Sequence, residues 1–305
     1  MKKLFIILCF VILNIYAGKA QHFPVYSQYM MNGLSINPAY AGSRDVFSAT
    51  FLLRKQWVGF EGAPTIFSLG AHLPFRKQNA ALGLIAYNES IGIENSTGLF
   101  VNYAYRVRLG NGKLAFGLKG GFNLVKEQNT KITLRDPLTD AAFEGNNENR
   151  FMPNFGFGMY YSNTKFFAGL SLPSMLNYNS NGESAKTDFK TYNVLLTGGY
   201  LIKFNENFKL KPSTLIKYKY ESDVQYDLNF NAIFFKNDML WVGGSYRNKE
   251  AWIGLIEVQV TRKIRLGYSY DISIGPLSNY NNGSHEIMLR YEWRDKVATL
   301  NPLYF

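Results

Sequence analysis

LFVNYAYRVRLGNGKLAFGLKGGFNL, residues 99–124, alternates between apolar and small or polar residues nearly throughout. Leu99, Val101, Tyr103, Tyr105, Val107 and Leu109 share one side of an extended chain, and Asn102, Ala104, Arg106 and Arg108 share the other. A period of two is the signature of a β-strand with two unlike faces. Gly110-Asn111-Gly112 then supplies residues that tolerate the backbone of a tight hairpin. Beyond it Leu114, Phe116, Leu118, Phe122 and Leu124 oppose Ala115, Gly117, Lys119, Gly121 and Asn123. Runs of about ten residues exceed the roughly five or six usual in soluble strands, and they match what a strand tilted by about 45° needs to cross a bilayer.

The pattern recurs along the chain. Val224, Tyr226, Leu228, Phe230 and Phe234 oppose Gln225, Asp227, Asn229 and Asn231. Ile264, Leu266, Tyr268, Tyr270 and Ile272 oppose Arg265, Gly267, Ser269 and Asp271. His285, Ile287, Leu289, Tyr291 and Trp293 oppose Glu286, Met288, Arg290 and Glu292. The polar sides mix Gly, Ala and Ser with charges of both signs, as the confined interior of a closed barrel requires. Within lipid, only a closed barrel satisfies every backbone group of a set of strands. Alternating runs between positions 46 and 293 number about fourteen, an even count as in single-chain bacterial barrels.

The expected fold is therefore all-β: a transmembrane antiparallel β-barrel of about fourteen strands, of the outer-membrane type. Tyr105, Tyr161, Tyr220, Trp241, Trp252 and Trp293 fall near run ends and read as its interfacial girdle. Short breaks such as Leu109–Gly112 and Phe204–Asn207 read as periplasmic turns, and the polar stretches 127–151, 174–189 and 274–283 as external loops. The glycine pairs Gly120-Gly121, Gly198-Gly199 and Gly243-Gly244 mark barrel corners or places where a plug or partner approaches closely.

Met1-Lys2-Lys3, the apolar run Leu4–Tyr16 and the small-x-small Gly18-Lys19-Ala20 read as a cleaved signal peptide over 1–20. The remaining 21–305 then form a single barrel domain led in by the segment 21–45, and the expected location is the outer membrane. Cys9 is the chain's one cysteine, so cleavage leaves no thiol for a disulfide, a thiolate metal site or a cysteine nucleophile. Loss of Lys2, Lys3 and Lys19 lowers the formal charge from +11 to +8. The remaining lysines are dispersed along alternating runs, as in Lys209, Lys211, Lys217 and Lys219, and do not form a phosphate track, so no nucleic-acid partner is expected. His22, His72 and His285 have no metal-ligand spacing, and no phosphate-binding loop or serine elbow occurs, so no cofactor or catalytic residue is expected. Asp271 and His285 lie near run ends, where barrel enzymes carry their chemistry, but nothing near them supplies a nucleophile.

One corner is too specific for a generic turn: Arg54-Lys55-Gln56-Trp57-Val58-Gly59-Phe60-Glu61-Gly62-Ala63-Pro64. Trp57 and Phe60 are large anchors, Arg54 and Glu61 offer a charge pair, and Gly59, Gly62 and Pro64 shape the turn. It reads either as a structural turn whose Trp57 belongs to the girdle, or as a partner-binding or plug-seating element built on Arg54, Gln56, Trp57, Phe60, Glu61 and Pro64.

Together with Gln28-Tyr29-Met30, Asn37-Pro38-Ala39-Tyr40-Ala41-Gly42, Gly169-Leu170-Ser171-Leu172-Pro173, Ser269-Tyr270-Asp271 and His285-Glu286-Ile287, this corner resembles the PorP/SprF family. These are outer-membrane proteins of the type IX secretion and gliding-motility system of Bacteroidota. The resemblance implies a non-enzymatic barrel that works with other secretion components in the outer-membrane bilayer. It also implies a large secreted adhesin as partner, whose C-terminal signal domain the barrel helps to export or anchor. The residues alone leave a passive or substrate-specific pore open as the alternative, because a barrel of about fourteen strands leaves a lumen unless something fills it. Alternation fades after Trp293, and the tail to Phe305 either trails the last strand or closes an irregular one.

Overall fold

The computed structural model describes residues 26–75, 79–127, 148–178, 185–220 and 222–293. The first strands are β1 (Phe47–Lys55), β2 (Thr65–Phe75), β3 (Ala80–Ile91), β4 (Glu94–Leu109), β5 (Gly112–Glu127), β6 (Glu148–Ser162) and β7 (Phe166–Leu172). The rest are β8 (Val194–Tyr200, continued by Ile202–Lys203), β9 (Phe208–Tyr218), β10 (Gln225–Phe234), β11 (Leu240–Arg247), β12 (Ala251–Gln259), β13 (Ile264–Ser273) and β14 (Ser284–Trp293). Each pairs antiparallel with its chain neighbours. Phe47 lies opposite Trp293 where β1 pairs with β14, which closes the fourteen-strand barrel. The first and last strands thus meet at one end, together with the turns around Gly110 and Asn163, and short turns of this kind face the periplasm. The corner 56–64 and the described parts of the breaks after β7 (173–178 and 185–193) and after β13 (274–283) lie at the opposite end, called here the loop end.

The expected faces are present. Leu118 is 60% exposed and Phe230 59%, whereas Asn102, Asp227, Asn231, Ser269 and Glu286 are fully buried on the inner face. The exposed band is the surface that lipid covers. Phe230→Arg, near the middle of β10, is expected to cost about 2–4 kcal/mol, the usual penalty for a cation at the bilayer midplane. Unfolding in lipid bilayers measures it, and a loss no larger than that of Phe230→Ala would contradict the lipid-facing assignment.

Two details depart from the expectations. Trp241 is not a girdle residue: it is 1% exposed, faces inward and packs with Met31, Ile233 and Met288. The phase of β11 explains this, because Val242 takes the outward position and Trp241, Ser245 and Arg247 the inward ones. Strands β4, β5 and β6 run to 15 or 16 residues, and β6 begins at Glu148, inside the stretch 127–151 read as an external loop. Polar ends such as Glu94, Asn95, Lys126 and Glu127 keep pairing beyond the apolar band. The signal-peptide and tail expectations lie outside the described residues.

Candidate functional site

The lumen contains the chain's own lead-in segment. Residues 26–45 carry three short 3-10 turns, Tyr29–Met31, Gly33–Ser35 and Pro38–Tyr40, and most of their side chains are buried. The last turn is locally encoded: the Asn37 carboxamide oxygen accepts from the Ala39 N–H at 2.9 Å, and Pro38 fixes the backbone at the first turn position. Apolar residues of the segment enter three clusters on the barrel wall. Leu34, Ala39, Tyr40 and Ala41 meet Ala81, Ile85, Phe100 and Ala104. Tyr26, Tyr29 and Ile36 meet Leu52, Ile66, Leu195 and Leu215, and Met31 meets Ile233 and Met288.

Small wall residues make room for it. A Cβ on Gly117 would lie 2.5 Å from Ala39 Cα, and one on Gly158 would lie 3.0 Å from Pro38 Cδ. Asn37 Nδ2 also donates to the Met159 carbonyl at 2.9 Å, and Ser171 Oγ donates to the Ile36 carbonyl at 2.6 Å. The Asn37–Gly42 motif is thus a turn clamped against β5, β6 and β7.

Charges fix the segment at both ends. Near the loop end Arg54 reaches inward from β1, 1% exposed, with Nη2 2.7 Å from Asp271 Oδ2 and Nη1 3.2 Å from Glu286 Oε2. The same guanidinium donates to Ser27 Oγ at 2.7 Å, and Ser27 Oγ donates to Asp271 at 2.7 Å. Glu286 accepts the backbone N–H groups of Ser27 and Gln28, each at 2.7 Å. Alongside, Arg247 is paired with Asp227 at 3.2 Å and donates to the Tyr26 carbonyl. At the periplasmic end Arg44 pairs with Glu292 at 2.5 Å, and Arg106 bridges Asp45 at 2.8 Å and the Gly42 carbonyl at 2.6 Å. The segment therefore descends the lumen from the loop end and turns into β1 at the bottom.

The corner divides between inside and outside. Arg54, Gln56 and Pro64 are buried, Trp57 is half-buried, and Phe60 and Glu61 are exposed on the rim. The expected Arg54–Glu61 pair is not what Arg54 makes. Arg54 sits in the inward phase of β1 and meets Asp271 and Glu286, while Glu61 stands out in the turn. The rim is pinned on both sides: Val58 exchanges backbone hydrogen bonds with Gly283 and Asn282 at 2.8 and 2.7 Å, and Gly92 donates to the Gly62 carbonyl at 2.9 Å. Trp57 adopts φ 42°, a left-handed conformation unusual for a bulky residue, and its N–H donates to Ser284 Oγ at 3.1 Å. At the rim's solvated edge, Lys249 bonded to Asp223 at 2.8 Å holds that carboxyl below its usual range.

Asp271 and His285 do not form a joint site. Asp271 faces the lumen, whereas His285 occupies the outward phase of β14, with Nδ1 2.7 Å from Tyr268 Oη. Among the described residues, no three of His, Cys, Asp and Glu are grouped so as to hold a metal ion. Sequence reasoning gave Ser27 and Gln28 no role in the site, although Gln28 stands in a motif that carries the family resemblance. The signal for the pair was Asp271 and Glu286 on the inward side of otherwise apolar strands, charges that needed a partner from elsewhere.

Comparison with solved structures returns outer-membrane barrels. A Pseudomonas aeruginosa FadL homologue aligns with TM-score 0.50 and 11% identity over 89% of this chain and 95% of that one, a likeness of fold alone. The Acinetobacter baumannii outer membrane protein Omp33 aligns with TM-score 0.49 and 9% identity over 81% and 98%. No curated protein matches the chain. The family described as type IX secretion system membrane protein PorP/SprF matches residues 18–291, almost the whole barrel with its plug and corner. This chain therefore belongs to the PorP/SprF family of type IX secretion system membrane proteins, built as an outer-membrane β-barrel.

Proposed function

We propose that this barrel is a non-enzymatic accessory of type IX secretion that helps to export or anchor a secreted surface protein by binding its C-terminal signal domain at the loop-end rim. Family membership supplies the secretion system. The observation that favours docking over a passive pore is the lumen itself, filled by residues 26–45 and clamped by Arg54, Asp271 and Glu286. A barrel whose conduit is occupied has its loop-end surface left for recognition. There the corner presents Phe60, 42% exposed, beside Trp57 and Glu61 on a backbone pinned from both sides. Rigid aromatic anchors of this kind concentrate binding energy. Arg54, Gln56 and Pro64 take the other role in this reading, seating the plug beneath the rim. A cleaved signal over 1–20 delivers the chain to the envelope, and the mature residues from Gln21 onward form one domain.

Pull-down from mildly solubilised membranes tests the proposal. Wild-type barrel is expected to retain a secreted protein through its C-terminal domain, and Trp57→Ala with Phe60→Ala to weaken retention about tenfold or more, the equivalent of losing roughly 1.4 kcal/mol. Equal recovery by the double variant would remove the corner from the interface. The absence of any secreted partner with the wild type would remove the docking function.

A further inference from the structure

Between the plug and the wall of β3 to β6 lies a cavity of about 180 Å³, bounded at the loop end by Pro173, Ser174 and Leu176. Tyr26 of the plug, Phe100 and Tyr87 give it an aromatic lining, and Lys119 of β5 enters it from the wall. Lys119 differs from most cations of the lumen. Arg54, Arg106, Lys209, Arg247, Arg265 and Arg290 each stand against a carboxylate at 2.5 to 3.7 Å. The Lys119 ammonium instead rests on the Phe100 ring, 3.9 Å from its centroid, and no carboxylate lines the cavity among the described residues.

A second group nearby is unsatisfied. Asn102, fully buried on β4, lies directly across the ladder from Lys119 on the same inward face, and neither its Oδ1 nor its Nδ2 has a hydrogen-bond partner. Cross-strand partners place their Cβ atoms about 5 Å apart, so this unbonded amide sits in the wall beside Lys119 without itself lining the cavity. Buried charges are ordinarily paired and buried amides bonded, and an intramembrane cation without a counter-charge marks a place where a counter-charge binds. The surrounding rings and aliphatic groups fit an apolar body attached to that charge.

We propose that this cavity binds a carboxylate carried on an apolar or aromatic stem, with Lys119 as the recognising cation. Two sources share this chemistry: a polypeptide's C-terminal carboxylate behind an aromatic residue, and a small organic acid. The site does not depend on the docking reading, since it lies beneath the rim and uses none of the corner residues.

Calorimetric titration of the purified full chain in detergent tests it. The probes are 3-phenylpropanoate and 3-phenylpropanamide, and the peptide Ala-Ala-Phe as free acid and as C-terminal amide. At least one acid is expected to bind tenfold or more tightly than its amide, and Lys119→Met to abolish that preference while Lys119→Arg keeps part of it. Tight binding of the peptide acid identifies a chain terminus as the source, and tight binding of phenylpropanoate identifies a small acid. Equal affinity of acid and amide in the wild type, no binding of either acid, or an acid preference that survives Lys119→Met in a barrel of unchanged electrophoretic heat-modifiability would overturn the assignment.

Discussion

Gly117→Val is expected to expel the plug and turn a silent barrel into a conducting one. Gly117 faces inward from β5, where a Cβ would lie 2.5 Å from Ala39 Cα, and the obstacle is backbone, not the end of a flexible side chain. Overpacking of this kind typically costs about 1–3 kcal/mol and more where the neighbours cannot yield. Here they yield poorly, because Asn37 and Ser171 bond the same turn to β6 and β7. The low-cost response is for the turn 37–42 to leave the wall, which opens the lumen. Planar-bilayer current reads the result directly, and protease sensitivity of the segment 26–45 reports whether it has left. Gly120→Val is the control: it lies three residues along the same strand, and a Cβ there meets nothing within 4 Å. Steady current from the wild type, or silence and full protease protection in Gly117→Val, would show that this segment does not close the barrel as described.

Arg54→Met is expected to destabilise the folded barrel by about 3–5 kcal/mol, the cost of removing one partner from a buried ion pair. The substitution leaves Asp271 and Glu286 facing each other in the lumen, both nearly inaccessible, and strips Ser27 Oγ of a donor. The loss comes from stranded charge and not from the bond itself, so neutralising the site reverses much of it. Adding Asp271→Asn and Glu286→Gln to Arg54→Met is expected to recover most of the stability, since the carboxamide oxygen introduced at position 286 still accepts a backbone N–H from Ser27 or Gln28. Urea midpoints in detergent decide. A triple variant no more stable than Arg54→Met would mean that the network's geometry matters more than its charge balance. Lys249 and Asp223 form an exposed pair on the loop rim, and breaking that pair is expected to change little.

The barrel was legible because bilayer and lumen impose opposite demands on successive residues, and the sequence from 99 to 124 records both. The phase of each run followed wherever bulky apolar residues held one side. It failed at Trp241, where Gly243 and Gly244 leave β11 without contrast and the cluster around Met31 decides instead. The plug was not legible. Residues 26–45 have no period, because 3-10 turns of three residues bury side chains in several directions at once. Arg54 showed as a corner residue, but its counter-charges lie 217 and 232 residues away on strands that meet β1 only when the barrel closes. The nearer Glu61 was the natural choice from spacing and the wrong one for the face.

The clamp between Ser27 and Glu286 joins residues 259 positions apart, one from the first described segment and one from the last strand. Its consequence is kinetic. A segment that precedes every strand and touches β1, β6, β7, β10 and β14 offers those strands one common mandrel to pair around. The seam between Phe47 and Trp293 is then no blind search between distant ends, because the first strand begins where the mandrel stops, and Glu286 and Arg290 of the last strand dock on it as they pair. A long-range closure of this kind is ordinarily the slowest part of building a β-topology. Contacts between this segment and successive strands shorten the loop that the closure must bridge, which lowers its entropy cost.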